Sequence, residues 1–404
     1  MVKYLILVPE LLVVVAVAAA ADTPKVEFRD GDRIALVGNE FFERDQDQGY
    51  LETALTTRFP QKNLIFRNLG YSGDTVWADA RSLCSGWATF GPADQGFERL
   101  KKMVADIKPT LILVAYGMNE SFDGPRGLDH FVTGLNRMLD MLAEASGGAR
   151  VALISPIRHE YLGPPLPDPA EHNKNIRLYM DAMEEVARRR RCAFVDLYDA
   201  LGDGMKAVPP AAFTSDGIHL NAYGYWQAAQ ALERAMGYPP RIPTVELKRS
   251  GDDPGADSQM NFVARGVMLP LAPPPGMPAV AESEEVFRIA GLDANLKYTL
   301  KSAGHKLATA SGEQWAKGVT LRAGPDFEQE ESLRKLVISK NFDFFNYWRP
   351  QNDTYIFGYR NHEQGRNAPE IARFDKLVTE KEAEIEKLRE PASHEYVLAP
   401  DAAK

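Results

Sequence analysis

The chain has 404 residues, of which 45% are hydrophobic and 25% charged, and it carries a formal net charge of −9. This length accommodates one large domain and a smaller second unit, and the composition is that of an ordinary soluble globular protein. The acidic balance speaks against nucleic acid as a partner, because phosphate binding needs a basic surface.

The first residues read as an export signal. Lys3 supplies a positive start, residues 11–20 are an unbroken apolar run, and Ala19, Ala20 and Ala21 precede Asp22 as a small-residue cleavage site. Pro9 and Glu10 interrupt the front of the run, so it falls short of the roughly 20 apolar residues that span a bilayer. The expectation is a signal peptide over residues 1–21 and a mature protein exported to the periplasm or beyond, with no membrane span. An uncleaved anchor or a buried strand is the competing reading. The two cysteines, Cys84 and Cys192, could pair in such a compartment, but one possible pair is no disulfide framework. Neither has a spacing that suggests zinc, so no metal and no cofactor are expected.

From about residue 33 to 236, short apolar runs alternate with amphipathic stretches. The runs at 34–37, 64–66, 111–115, 151–154 and 193–195 have the make-up of parallel strands buried on both faces. Helical patterns fall between them at 50–58, 95–107, 128–145, 170–190 and 222–236. Such alternation predicts an α/β fold, a doubly wound parallel sheet over residues 30–238 with its site at the carboxyl ends of the strands. Beyond it, residues 239–404 read as a C-terminal accessory region without an active site of its own. Proline-dense and linker-like stretches lead into β-like segments at 286–289, 297–301 and 305–310, with Ala303 and Gly304 as a hairpin turn. Two helices are expected at 328–340 and 371–388, the first packing on the α/β domain through Leu333, Leu336 and Val337. An aromatic loop between them, residues 342–367, is expected to cover the junction.

Four short blocks stand where strand ends and loops should meet: Gly38-Asn39-Glu40-Phe41, Ser72-Gly73-Asp74-Thr75, Gly117-Met118-Asn119-Glu120 and Asp216-Gly217-Ile218-His219. Acyl transfer needs a nucleophile, a base, a group that orients the base, and donors for an oxyanion. Asp216 and His219, three apart, suit the orienting pair, while the Gly73 N–H and the Asn119 amide are the donor types of an oxyanion hole. Taken singly, each block is more often an ordinary turn or loop pairing. Tyr71 and Trp77 flank the second block and are candidate substrate contacts by stacking, with packing as their commoner role.

Together, and in this order, the blocks resemble the SGNH hydrolases, also called GDSL-type esterases, over residues 32 to 236. The resemblance implies a flavodoxin-like, five-stranded parallel sheet. It also implies ester hydrolysis assisted by Gly73, Asn119, Asp216 and His219. Where that family reads Gly-Asp-Ser-Leu, this chain reads Gly38-Asn39-Glu40-Phe41, so Glu40 stands at the serine position. Two carboxylates around His219 would favour imidazolium, which cannot serve as a general base. The longer Glu40 side chain can also reach the oxyanion donors itself. Three readings stay open: a hydrolase with altered chemistry at Glu40, a silent relative that binds a glycan or another ligand in the cleft, and a metal site formed by Glu40, Asp216 and His219. The expected ligand is a small-molecule or polysaccharide ester.

Overall fold

The computed structural model describes residues 24–82, 94–202, 212–248, 259–277, 284–350, 353–363 and 367–401. The expected signal peptide and Cys84 lie outside these residues, and Cys192 has no disulfide partner among them.

Five strands, β1 (Arg33–Gly38), β2 (Ile65–Gly70), β3 (Leu111–Ala115), β4 (Arg150–Ile154) and β5 (Ala193–Val195), form one parallel sheet in the order β2-β1-β3-β4-β5. Every residue of the central β3 is buried, as a strand covered on both faces requires. The covering helices are α1 (Glu40–Glu43), α2 (Tyr50–Arg58), α3 (Gln95–Ile107), α4 (Leu128–Ser146), α5 (Ala170–Arg190), α6 (Leu197–Gly202) and α7 (Ala222–Ala235). One face packs α2, α6 and α7 against Ile34, Leu36 and Leu113; the other packs α3 and α4 against Ala35, Val37, Ile112 and Val114, with α5 contributing to both. This is the doubly wound sheet that the strand-helix alternation predicts. Its register matters most at one end. Gly38 lies opposite Gly70 on one side and Ala115 on the other, so the ends of β1, β2 and β3 open onto the same edge.

The C-terminal part departs from expectation in its β content. Strands β6 (Thr244–Lys248), β8 (Glu285–Ala290) and β11 (Val319–Leu321) make a three-stranded sheet. Strands β7 (Met260–Ala264), β9 (Lys297–Ser302), β10 (His305–Ser311) and β12 (His394–Pro400) make a four-stranded one in the order β10-β9-β12-β7. With helix α8 (Gly312–Lys317) they enclose a core of their own, built on Val245, Phe287, Tyr298, Trp315, Tyr396 and Leu398. The short β segment expected from residues 286–310 is therefore one piece of a larger assembly. β6 and β7 lie before that piece and β12 returns far beyond it, so no local pattern joins them. The hairpin at Ala303 and Gly304 forms, with φ of 47° and 78°.

The helix expected at 328–340 is longer, α9 (Pro325–Trp348), followed by α10 (Asp353–Ile356), α11 (Ala368–Ile371) and α12 (Arg373–Leu388). Its apolar stripe does not face the parallel sheet. Leu333, Val337 and Leu336 pack with Leu269 and with Ile385 and Leu388 of α12. Docking onto the α/β part falls instead to polar and aromatic groups. The fully buried Lys340 ammonium reaches both Glu52 carboxylate oxygens at 2.7 and 2.8 Å and the Phe66 carbonyl at 3.2 Å, and Arg334 donates to the Gln48 carbonyl at 2.8 Å. Phe344 and Trp348 then join the core beside the sheet. A stripe of three apolar residues says that a helix buries a face, but not against what.

Candidate active site

The site begins with how β1 ends. The Asn39 side chain accepts from the Phe41 N–H at 3.3 Å and so starts α1, while its own N–H donates to the Ala115 carbonyl at 3.3 Å. This turn places Glu40 at the first position of a short helix on the carboxyl edge of the sheet. The buried Tyr225 hydroxyl fixes the turn from behind, donating to the Glu40 and Phe41 carbonyls at 3.2 and 2.9 Å.

The second block is held by charges that the sequence alone did not assign. Asp74 is fully buried and accepts from Arg81 Nε at 2.6 Å and from the Tyr116 hydroxyl at 2.8 Å. Arg81 Nη2 donates in turn to the Gly38 and Leu69 carbonyls at 3.2 and 2.8 Å, tying the ends of β1 and β2 to the block. Burial works against the Arg81 charge, but the Asp74 carboxylate outweighs it and holds the guanidinium charged. Glu43, one helical turn after Glu40, accepts the Ser72 N–H with one oxygen and pairs with Arg349 at 2.7 Å with the other. Between these anchors Gly73 adopts φ +76°, a conformation that costs a side-chain-bearing residue, and this turns its N–H toward Glu40.

The third block is fixed by Glu120, whose buried carboxylate accepts the Gly117 and Val76 N–H groups, each at 2.9 Å. Burial pushes its carboxyl up to about 7, against the pull of the backbone donors. Asn119 is thereby aimed at two acceptors: its amide donates to the Asp74 carbonyl at 3.0 Å and to Glu40 Oε2 at 3.1 Å. The Gly73 N–H reaches the same Glu40 oxygen at 3.3 Å.

In the fourth block Asp216 Oδ1 accepts the Ile218 and His219 N–H groups at 3.2 and 2.9 Å, and Oδ2 meets His219 Nδ1 at 2.6 Å. Partial burial would raise the Asp216 carboxyl, but the hydrogen bonds from the His219 ring, the His219 backbone and the Ile218 backbone hold it below its ordinary value. The proton on Nδ1 faces Asp216, which leaves Nε2 as the free ring nitrogen. This loop is pinned by Glu160, a buried residue without any sequence signal, which accepts from the Phe213 and Thr214 N–H groups at 3.0 and 2.8 Å. His219 and Glu40 line one pocket with Arg44, Met118, Pro156 and Ile157. Among the described residues no hydrogen bond joins the two, so they share a cavity rather than a contact.

The structure thus brings Glu40, Gly73 and Asn119 together at hydrogen-bond range and sets the Asp216–His219 pair across a common pocket. The two candidate substrate contacts are engaged by the protein itself. The Trp77 ring stacks on His130 at 4.5 Å and lies under Arg137, against α4. The Tyr71 ring carries the Arg349 guanidinium 3.3 Å from its centre. Both rings are half-buried against these partners. Among the described residues no three His, Cys, Asp or Glu side chains are grouped as a metal site, and the Glu40 oxygen is held by donors that would repel a cation. Nor is any described helix long and apolar enough to cross a membrane.

Comparison with known proteins bears on the fold. A solved gut microbial diltiazem-metabolizing enzyme superposes with a TM-score of 0.67 at 15% identity, over 93% of this chain and 99% of that one, so the shared fold extends through the C-terminal region. Two smaller proteins superpose over about half the chain. Axe2, an acetylxylan esterase from Geobacillus stearothermophilus, gives a TM-score of 0.40 at 17% identity, over 52% of this chain and 96% of that one. A putative GDSL-like lipase from Parabacteroides merdae gives 0.42 at 16% identity, over 53% and 99%. No curated protein matches the chain. The family model for GDSL-like lipases and acylhydrolases matches residues 31–227, which run from the turn before β1 into α7 and carry all four blocks; this part of the chain belongs to the GDSL-like lipase/acylhydrolase family.

Proposed function

We propose that the protein is an exported GDSL-type hydrolase for ester ligands, acyl or acetyl esters including those of carbohydrates, whose catalysis is weakened because Glu40 stands at the serine position and fills the oxyanion hole. One observation carries the reading. Glu40 Oε2 accepts from both the Gly73 N–H and the Asn119 amide, the two donors that would otherwise stabilise the developing charge on a substrate carbonyl.

The same contact argues against Glu40 as a nucleophile. A carboxylate that attacks a carbonyl needs those donors on the substrate oxygen, and here both are spent on the attacking group. The Asp216–His219 pair across the same pocket supports the reading, since Asp216 on Nδ1 leaves His219 Nε2 to face the site as a base. Replacing Glu40 with serine supplies a hydroxyl, vacates the hole and leaves His219 as its base. Glu40→Ser is expected to hydrolyse p-nitrophenyl acetate on the order of 10³-fold faster than the uncatalysed reaction even with imperfect assembly. The wild-type protein and Glu40→Gln should stay near background. Strong wild-type turnover that Glu40→Gln abolishes would make the carboxylate itself catalytic and end this reading. A Glu40→Ser protein that stays inactive yet retains ester ligands would instead favour a silent binding protein.

A further inference from the structure

Directly after the Asn119 block, three polar residues form a hydrogen-bonded chain that the proposed chemistry does not use. Ser121 is fully buried, and its hydroxyl donates to the Met118 carbonyl at 2.6 Å. Its one proton is therefore spent, so toward His172 Nε2, 2.8 Å away, Ser121 Oγ acts as acceptor. His172 then carries its proton on Nε2, and its Nδ1 must accept from His159 Nδ1 at 3.0 Å. The His159 backbone is clamped on both sides by the Asn173 amide, at 2.9 and 2.8 Å. At the far end His159 Nε2 abuts Gly217, where an added Cβ would sit 2.6 Å from that nitrogen and φ is +102°. The chain thus links the segment after Asn119 to the Asp216–His219 loop.

Phe122 lies on the outside of this span. Its ring stacks on His172 with centres 3.8 Å apart and planes 23° from parallel, its N–H bonds the Asn119 carbonyl at 3.4 Å, and it is 57% exposed. A lone exposed apolar residue needs no explanation. This one differs because both ring nitrogens of its support are fixed, so the exposed face is rigid and three residues from a donor to Glu40. Burial and the nearby His159 push His172 down to about 4, which keeps the support neutral at ordinary pH.

We propose that the Phe122–His172 stack is the specificity platform of the site, taking the flat apolar face of a ring carried by the ester, either a sugar or an aromatic ring, while the ester carbonyl lies toward Asn119. The proposal rests on the ester-site reading above. A rigid aromatic face binds a ring with little ordering cost, which is why a modest contact here discriminates.

The test measures binding of phenyl acetate, an O-acetylated methyl xyloside and the ring-free n-hexyl acetate to the full chain by ligand-observed NMR. Ring-bearing esters should bind wild type up to about tenfold tighter than the ring-free one. Phe122→Ala should erase that preference, Phe122→Leu should erase it while keeping apolar bulk, and Phe122→Trp should restore it. Whichever ring loses more in Phe122→Ala is the ligand class. An unchanged preference in a folded Phe122→Leu protein would overturn the platform while leaving the ester site standing. Should no ester bind and Glu40→Ser also remain inactive, the site reading fails and the platform with it.

Discussion

At the carboxyl edge of the parallel sheet, the buried carboxylates of Asp74, Glu120 and Glu160 each accept from two or more donors on neighbouring elements. In the C-terminal β region, Glu285 and Asp326 are also fully buried, yet neither Glu285 oxygen has a hydrogen-bond donor among the described residues. Asp326 lies beside Glu285, with the His394 imidazole 3.0 Å away. The first region balances buried charge with donors, which fixes positions. The second balances it by retaining a proton: burial and the adjacent Asp326 carboxylate push Glu285 up to about 9. Donors fix the geometry of the first region even though burial still raises the Glu120 and Asp74 carboxyls, whereas in the second region a retained proton takes the donors' place and ties stability to pH.

The largest effect should come from breaking the donor-rich side. Arg81→Met leaves Asp74 buried without its cation, and urea denaturation should report a loss of about 3–5 kcal/mol. A loss below about 1 kcal/mol would mean that the pair does little to hold the ends of β1 and β2.

A smaller effect sharpens the contrast. The Glu285 carboxyl lies above its unfolded value of 4.5 in the folded protein, so its contribution is fully present below that value and is lost as pH rises through about 9. Stability measured from pH 5 to 9 should fall in wild type and stay flatter in Glu285→Gln, whose amide donates to Asp326 without a titrating proton. By pH 9 the variant should be the more stable by roughly 1–2 kcal/mol. Parallel pH profiles would show that Glu285 is not the group responsible.

The smallest effect belongs to Asp216. Its folded value lies below the ordinary one, so its contribution is present above about pH 4 and is lost on acidification. The side chain is 46% exposed, solvent screens its pairing with His219, and Asp216→Asn should cost less than about 1 kcal/mol at neutral pH. A larger loss would mean that this loop is held through Asp216 rather than through Glu160.

What the sequence disclosed follows from distance along the chain. The strands of the parallel sheet announce themselves because each contains or adjoins a short apolar run, and helices α2, α3 and α5 occupy the residues expected of them. Glu40, Gly73 and Asn119 were readable because motif order marks three strand ends. Arg81, Glu160 and the Ser121–His172–His159 chain were not, since each acts through a partner that no spacing rule connects to it. The same limit hid β12, which pairs with β7 and β9 across more than 90 residues. It also misdirected the Leu333–Val337 stripe, whose partner is α12.

Glu43 joins two events that would otherwise be separate. One of its oxygens steadies Ser72, the residue before the Gly73 donor, and the other holds Arg349 just beyond α9. Glu40 and Glu43 share one short helical turn, and the Arg349 that Glu43 holds is seated on Tyr71. Were opening the hole to shift that turn, thermodynamic reciprocity would require that whatever tightens the end of α9 raise the cost of opening by the same free energy. The C-terminal region thus reaches the site through one carboxylate shared between a backbone N–H and a guanidinium.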